Sequence, residues 1–504
     1  MEKIAIIDLG SNSARLVLVN ILDGGYFMVF DELKESVRLG QDMERDGFLK
    51  PSRVAQTIKT LKMFRRLCDA NHVDKIFAFA TAAVRRAKNQ KSFLDEVGVT
   101  CGIKLKVLSQ DEEAQFVYTG VINSMDVPKG LIVDIGGGST QLVYYNRKHL
   151  LAQVTLPFGA VTLTDLFKSE ELAPEAQFDK INAYVADQIK DIDWLKELDP
   201  DTQLIGVGGS FRNLGKISRL LTKYPLDVAH NYHIKTESFN SICDTIKKME
   251  LDQTMKIKGL SSGRADIFPS ALAAIKAITD QFAFGEIIIS GSGLREGAMF
   301  RYAVPNTSER PITDVLGYSL NTLVRYYGEN IPHVEHVYNL SMQLFKQLKV
   351  LHKLPRVYIK VLRIASILHD VGQHIKYYDH HKHSAYTILN STLYGVSHRE
   401  IIMASFVAWA HRKNDISNND LLKFKNVLTE EDVDAVRKLG VILRIAESFD
   451  RSMSSIVRGV NCDVLGDSVI MKIETDGDCS LEVKDALSAS VEFKRAYKKN
   501  LEIL

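Results

Sequence analysis

Apolar positions in the first 300 residues come in short runs, each closed by a polar or glycine-rich joint. Residues 3–21, KIAIIDLGSNSARLVLVNI, hold two such runs around a loop that begins with Asp8. Near-continuous apolar runs of this length predict buried strands. The joint between them is wider than the two-residue turn of an ordinary hairpin. Residues 130–145, GLIVDIGGGSTQLVYY, repeat the arrangement. Both units follow D-x-G-x-x-S-x-x-L, with Asp8, Gly10, Ser13 and Leu16 answered by Asp134, Gly136, Ser139 and Leu142. A repeated strand–turn–strand unit predicts two related domains facing each other.

Between and after the repeats the period alternates. SRVAQTIKTLKMFRRLCDANH is spaced as an amphipathic helix, KIFAFATAAVR reads as a buried strand, KLKVLS as another, and DEEAQFVYTGVIN opens a helix. The second half continues with LAQVTLPFGAV, a helix near 176–196, QLIGVGGSFRNLGKI, the helical RADIFPSALAAIKAI and the strand-turn EIIISGSGLREG. Alternating strands and helices predict a duplicated α/β architecture. Beyond PNTSERPIT (305–313) the pattern becomes helical, in VEHVYNLSMQLFKQL, RVYIKVLRIASILHDVGQHI, REIIMASFVAWAHRK and EDVDAVRKLGVILRIAESFD. Leu362, Ser366 and His369 fall on one helix face, which directs the His369-Asp370 pair inward. From about Ser455, SVIMKIETD and CSLEVK read as short strands and the basic EFKRAYKKN as a solvated face. The expected domains are 1–125 and 126–304, both α/β, then a helical 305–454 and a small α+β appendage, 455–504.

Composition narrows the function classes. The chain has 504 residues, too many for one core, with 45% hydrophobic and 25% charged positions, as in ordinary globular proteins. Lys+Arg 64 against Asp+Glu 62 gives a net charge of +2, so no bulk charge argues for nucleic acid or a membrane surface. Five scattered cysteines without CxxC spacing fit reduced thiols, no apolar run is long enough to span a bilayer, and no signal-peptide pattern precedes the first strand. The expectation is a cytoplasmic protein.

Four Gly/Ser-rich loops follow strands, at 10–13, 136–139, 206–210 and 291–293. Glycines let backbone N–H groups converge on an anion, above all on phosphate oxygens. The phosphate-binding candidates are therefore Gly10, Ser11, Asn12, Ser13, Gly136, Gly137, Gly138, Ser139, Thr140, Gly208, Gly209 and Ser210. Arg15, Arg212 and Arg295 lie just past three of the loops, and Arg85 and Arg86 follow another strand, where guanidinium matches phosphate bidentately. Asp8 and Asp134 offer the hard oxygens expected of Mg²⁺ ligands. A Walker A pattern is absent.

The Asp-Gly hairpins resemble the phosphate loops of the actin, sugar-kinase and chaperone-ATPase superfamily. Within it, DLGSNSARL, ATAAVRRAKN, DEEAQFVYTGV, VDIGGGSTQLV, GVGGSFRNL and ISGSGLREG, in order from residue 3 to about 300, resemble the exopolyphosphatase/guanosine pentaphosphate phosphatase family. The resemblance implies two actin-like (ribonuclease H-like) domains, an all-α HD-like domain and a small β-rich appendage. It also implies Mg²⁺-dependent hydrolysis of the terminal phosphate of polyphosphate or of guanosine pentaphosphate. A homodimer is expected because dimers are the commonest assembly. It places the catalytic base at Glu113; the residues alone suggest instead a helix first turn, in which Ser109 and Glu112 form a capping box. Gln141 stands where the family commonly has Glu, and an amide orients water but accepts no proton. Replacing it by Glu is expected to preserve or raise activity.

Ten of the 14 histidines lie between His333 and His411. The order His336, His369-Asp370, His383, His411, then Glu447 or Asp450, resembles the HD-domain phosphohydrolases and implies an additional divalent metal centre. Two alternatives stay open: a non-catalytic sensor of polyphosphate or a guanosine alarmone, and an HD-centred nucleotide phosphohydrolase.

Overall fold

The computed structural model describes residues 2–43, 45–168, 172–304, 310–412 and 416–504. Of the stretch read as a domain junction, residues 305–309 lie outside the described residues. Contacts divide the chain into two compact units, Met1–Val315 and Leu316–Leu504.

The first unit contains two sheets of matching topology. In the first, β1 (Glu2–Leu9), β2 (Ala14–Leu22), β3 (Tyr26–Glu35), β4 (Lys75–Ala80) and β5 (Leu105–Val107) are ordered β3-β2-β1-β4-β5. In the second, β6 (Lys129–Ile135), β7 (Thr140–Asn146), β8 (His149–Leu156), β9 (Gln203–Val207), β10 (Tyr232–Lys235) and β11 (Glu286–Ile289) are ordered β10-β11-β9-β6-β7-β8. Read from the central strand outward, β6, β7, β8, β9 and β11 take the places of β1 to β5, and β10 is added at the edge. The repeat visible in sequence is thus a repeat of the whole sheet. Each central strand pairs antiparallel with its hairpin partner and parallel with the next strand. These strands are buried on both faces, which explains the near-continuous apolar runs.

Two segments end their strands earlier than the pattern predicts. In KIFAFATAAVR the strand stops at Ala80, because its partner β1 stops at Leu9 opposite, and Ala82–Arg86 turns into a short helix. The supposed loop 206–210 is strand to Val207 and helix from Gly208 to Leu221. Helices Gln110–Ile122 and Leu294–Ala303 pack backbone against backbone at glycine. A Cβ on Gly297 would sit 1.8 Å from the Phe116 carbonyl oxygen, and one on Gly120 would sit 2.2 Å from that of Gly293.

The second unit is a helical bundle built on Ile331–Gln347, Tyr358–Ile367, His380–Asn390, His398–Trp409 and Glu430–Ser448, followed by a three-stranded sheet. In that sheet β12 (Val457–Leu465), β13 (Ser468–Thr475) and β14 (Asn500–Ile503) lie in the order β12-β13-β14. CSLEVK, read as a strand, belongs to helix Ser480–Leu487. The buried positions 482, 486, 489, 493 and 497 carry a helical spacing that only a window longer than six residues exposes. The EFKRAYKKN stretch is anchored as well as solvated: Phe493 is fully buried and the Tyr497 hydroxyl donates to the Lys438 carbonyl at 2.8 Å.

Gly297→Ala is expected to lower stability by about 2 kcal/mol, as overpacking does in a rigid contact, read as a fall in the denaturation midpoint. Alanine at the exposed Gly98, whose Cβ direction is open, is the matched control and leaves the midpoint unchanged or higher.

Candidate active site

The two hairpins are superposable in detail. Asp8 pairs with Arg15 and Leu9 with Ala14 across the first, while Asp134 pairs with Gln141 and Ile135 with Thr140 across the second. In each, the loop glycine donates to the closing serine: Gly10 N to Ser13 O at 3.1 Å, and Gly136 N to Ser139 O at 2.9 Å. The tips meet. A Cβ on Gly137 would lie 2.8 Å from the Ser11 Cβ, and one on Gly138 would lie 2.8 Å from the Ser11 Oγ. On the outer side, Ala160 N and Val161 N, at the start of helix Ala160–Phe167, donate to Gly136 O and Gly137 O at 2.9 and 2.8 Å. The second loop is thereby held with its carbonyls committed to the helix.

Between the tips lies a cavity of about 120 Å³. Asp8, Asp134 and Glu113 line it with the hairpin residues Gly10, Ser11, Asn12, Ser13, Gly136, Gly137, Gly138 and Ser139. Gly208 and Gly209 enter it at the N-terminus of helix Gly208–Leu221, and Leu294 and Arg295 at that of helix Leu294–Ala303, where helix dipoles favour an anion. Gly208 has φ +89°, and a Cβ there would meet an Asp134 carboxylate oxygen at 2.5 Å. Arg15, Arg212, Arg264, Arg295 and Glu296 also line it.

Burial sets the electrostatics. It pushes the Asp8 carboxyl up against the pull of Arg295 and Arg15. Burial, reinforced by the charge of Glu113, pushes Asp134 up to about 7. Glu113 is also raised by burial, opposed chiefly by Arg85, whose guanidinium donates to it at 2.8 Å, and by a hydrogen bond from Gln141. Arg85 also donates to the Leu108 carbonyl at 2.9 Å. Glu113 sits in the first turn of its helix beside the expected capping box, where Glu112 N donates to Ser109 Oγ and Ser109 N to Glu112 Oε2.

Several sequence candidates lie elsewhere. Thr140 points to the opposite face of β7 from Ser139 and Gln141, and its hydroxyl donates to the Phe158 carbonyl at 2.8 Å. Ser210 is buried behind the helix N-terminus, accepting from Arg264 at 3.3 Å. Arg85 grips Glu113 instead of lining the cavity. Gln141 is buried, donating to Ser139 Oγ at 3.0 Å. Sequence reading missed Arg264, which follows the Ser261-Ser262-Gly263 run instead of a strand, and Glu296, the partner of Arg295 at 3.8 Å.

A second centre lies in the unit Leu316–Leu504. His333, His369, Asp370, His380 and His411 are buried together, with candidate ligand atoms within 4.8 Å in the triads His333–His369–Asp370 and Asp370–His380–His411. The four imidazoles share one arrangement. Nδ1 contacts Asp450 (His333), the Ser366 carbonyl (His369), the Tyr377 carbonyl (His380) or the Ala408 carbonyl (His411). Those contacts occupy each Nδ1 and leave each Nε2 facing Asp370. The Nε2 atoms of His333 and His369 have no hydrogen-bond partner among the described residues. This donor set fits a divalent transition metal.

Four members of the expected ligand set lie outside the two triads. His336 lies one turn from His333 on the same helix and contacts the Val457 carbonyl with Nε2 at 2.9 Å. His383 is half-buried, one turn beyond His380, outside both triads. Asp450 stands behind His333 at 2.8 Å and accepts from Ser455 N, and Glu447 faces Arg412 and Arg451 at 3.6 and 3.8 Å. His369 and Asp370 themselves follow the end of helix Tyr358–Ile367 instead of lying on its face.

Two duplicated lobes closing paired Asp hairpins on a cation-ringed cavity define an actin-like phosphate-handling fold. The sequence pattern of the Ppx/GppA phosphatase family matches residues 17–304, and that of Ppx/GppA phosphatase, domain III, matches residues 317–488. The chain belongs to the Ppx/GppA phosphatase family. It is similar to a guanosine-5′-triphosphate,3′-diphosphate pyrophosphatase of Pseudoalteromonas atlantica, 28% identical over 400 residues, covering 77% of this chain and 75% of the relative. Among solved structures, a Ppx/GppA family member of Aquifex aeolicus is 27% identical with a TM-score of 0.50, covering 59% of this chain and 96% of that one. An exopolyphosphatase from Cytophaga hutchinsonii shares the fold at 24% identity, with a TM-score of 0.56 and coverage of 60% and 98%. No described helix is long and apolar enough to cross a membrane.

Gly137→Val forces the hairpin tips apart and is expected to reduce phosphate release about 100-fold, the scale of an ångström-sized misplacement at a reacting centre. A thermal melt within a few degrees of wild type would locate the loss in the cavity.

Proposed function

We propose that the chain hydrolyses the terminal phosphoanhydride of inorganic polyphosphate or of guanosine pentaphosphate in the cavity between the Asp hairpins. The observation that carries this reading is the meeting of both hairpin loops, Glu113 and four arginines on one cavity of about 120 Å³. The terminal phosphate lies between the loops, held by their amides and by Ser11, Ser13 and Ser139, with Arg15, Arg212 and Arg295 neutralising its oxygens. Glu113 accepts the proton of the attacking water, and the P–O anhydride bond breaks opposite. The products are orthophosphate and an anion shorter by one phosphate.

Asp8 and Asp134 fit a hard divalent cation: two neighbouring carboxylates, both raised by burial, gain from a positive charge between them. They would hold Mg²⁺, which when bound neutralises phosphoanhydride oxygens. Arg85 and Gln141 are positioning residues. Arg85 favours the ionised form of Glu113 by charge, and Gln141 links Glu113 to Ser139 of the phosphate loop.

Glu113→Gln is expected to abolish phosphate release while retaining substrate binding; full activity in that variant would overturn the assignment. Because Glu113 is raised above its usual 4.5, activity rises with pH as the carboxyl ionises. Arg85→Ala removes the main opposing charge, so the acidic limb of kcat/KM moves to higher pH. Gln141→Glu places a like charge beside Glu113 and moves the limb the same way while preserving activity at alkaline pH.

The histidine centre of the second unit favours a separate divalent transition metal held by His333, His369, Asp370, His380 and His411. Purified protein is expected to carry metal that a chelator removes. His380→Ala and His411→Ala would lose it, whereas His336→Ala and His383→Ala would keep it.

A further inference from the structure

The fourth glycine loop, 291–293, joins β11 to helix Leu294–Ala303. Gly293 lines the phosphate cavity, whereas Gly291 and Ser292 do not. Gly291 is instead held through both of its backbone polar groups. Its carbonyl accepts from Arg212 Nη1 at 3.1 Å, and its N–H donates to His230 Nδ1 at 3.1 Å. On the other side of the ring, His230 Nε2 lies 3.0 Å from the Ser124 carbonyl.

These partners fix the state of the imidazole. An amide N–H only donates, so Nδ1 accepts; a carbonyl only accepts, so Nε2 carries the proton and donates. A doubly protonated ring would set Nδ1–H against the Gly291 N–H. Burial favours the neutral ring, pushing His230 below its ordinary value against the Ser124 carbonyl and the charge of Glu296.

The contact depends on β10, the strand that the second sheet adds at its edge. β10 runs antiparallel to β11 with Tyr232 opposite Ile289, and the same register carried two residues back sets His230 opposite Gly291. Asn231, between them at φ +62°, donates its N–H to the Ile289 carbonyl at 2.8 Å. The Gly291 loop is stiff, because Ser290 Oγ donates to the Ser292 carbonyl at 2.7 Å and accepts from Ser292 N at 3.1 Å. Ser124, fully buried, follows the helix Gln110–Ile122 whose first turn carries Glu113, and its hydroxyl donates to the Gly120 carbonyl at 2.7 Å. One neutral imidazole thus connects the end of the Glu113 helix with the peptide that holds Arg212.

We propose that His230, which is not part of the cavity lining, is a positioning residue that sets the Arg212 guanidinium through the Gly291 peptide. The proposal rests on the reading that Arg212 neutralises the terminal phosphate between the hairpins.

The test separates the two hydrogen bonds of the ring. In His230→Asn the side-chain oxygen falls near the place of Nδ1 and keeps an acceptor for Gly291. In His230→Gln the side-chain nitrogen falls near the place of Nε2, keeping a donor for Ser124 while the Gly291 acceptor is lost. Phosphate release from polyphosphate and from guanosine pentaphosphate is expected to show kcat lowered about tenfold in His230→Gln, the scale of a buried amide left without an acceptor, and lowered less in His230→Asn. In an Arg212→Ala background, His230→Gln is expected to cost nothing further, because both changes act through one guanidinium. Equal losses in the Asn and Gln variants, losses that merely follow the thermal midpoint, or losses that add in the Arg212→Ala background overturn the proposal. Calorimetric binding of tripolyphosphate in chelator runs the same cycle without turnover. If wild type binds tripolyphosphate but releases no phosphate from either substrate, the catalytic reading falls and the binding cycle decides the role of His230. If wild type does neither, both fall.

Discussion

The first unit depends on one close approach: the backbone of the loop Gly136–Ser139 set against Ser11 and Asn12 of its counterpart. Both Gly137 and Gly138 lie where a Cβ would collide with Ser11. Because the loops touch, their aspartates end strands that lead into the same small space. The helix Ala160–Phe167 takes up the outward carbonyls of the second loop, and Gly208 lets another helix begin against Asp134. The cavity, the arginines at the helix starts and the position of Glu113 follow from that contact.

Inside the cavity, charge is balanced between buried acids and buried guanidiniums, and no single pair accounts for it. Glu113 shows how. Burial alone favours its neutral form, whereas Arg85 and Gln141 favour its carboxylate. The same logic governs the second unit in another chemistry. Asp370 is held well below the usual carboxylate range against the cost of burial, by His369, His380 and His411. Backbone carbonyls and Asp450 engage the Nδ1 atoms, and four Nε2 atoms face Asp370.

Legibility followed periodicity and local repetition. The hairpin repeat was readable because strand, joint and strand are contiguous, and it extended to the order of five strands in each sheet. The place of Glu113 on the cavity was legible only through family motifs, since in isolation its position looks like helix capping, which its neighbour Glu112 does perform. The choice of His333 over His336 and of His380 over His383 was not readable. Each pair lies three residues apart on one helix, and which member faces the centre depends on how that helix is rotated against its neighbours. CSLEVK failed for a related reason, being too short to separate a period of two from one of 3.6.

The amino-acid sequence determined what is local: paired Asp hairpins, alternating α/β order, the histidine-rich helical segment and a preference for phosphate through glycine, serine and arginine. These need only neighbours along the chain, whose spacing sets strand, loop and helix. The tertiary structure decided which candidates act together. It turned Thr140 away, gave Arg85 to Glu113, set His333 and His380 instead of His336 and His383 beside Asp370, and brought Arg264 into the lining of the cavity. Those outcomes depend on helix rotation and on contacts between residues far apart in the chain, and no spacing rule encodes either.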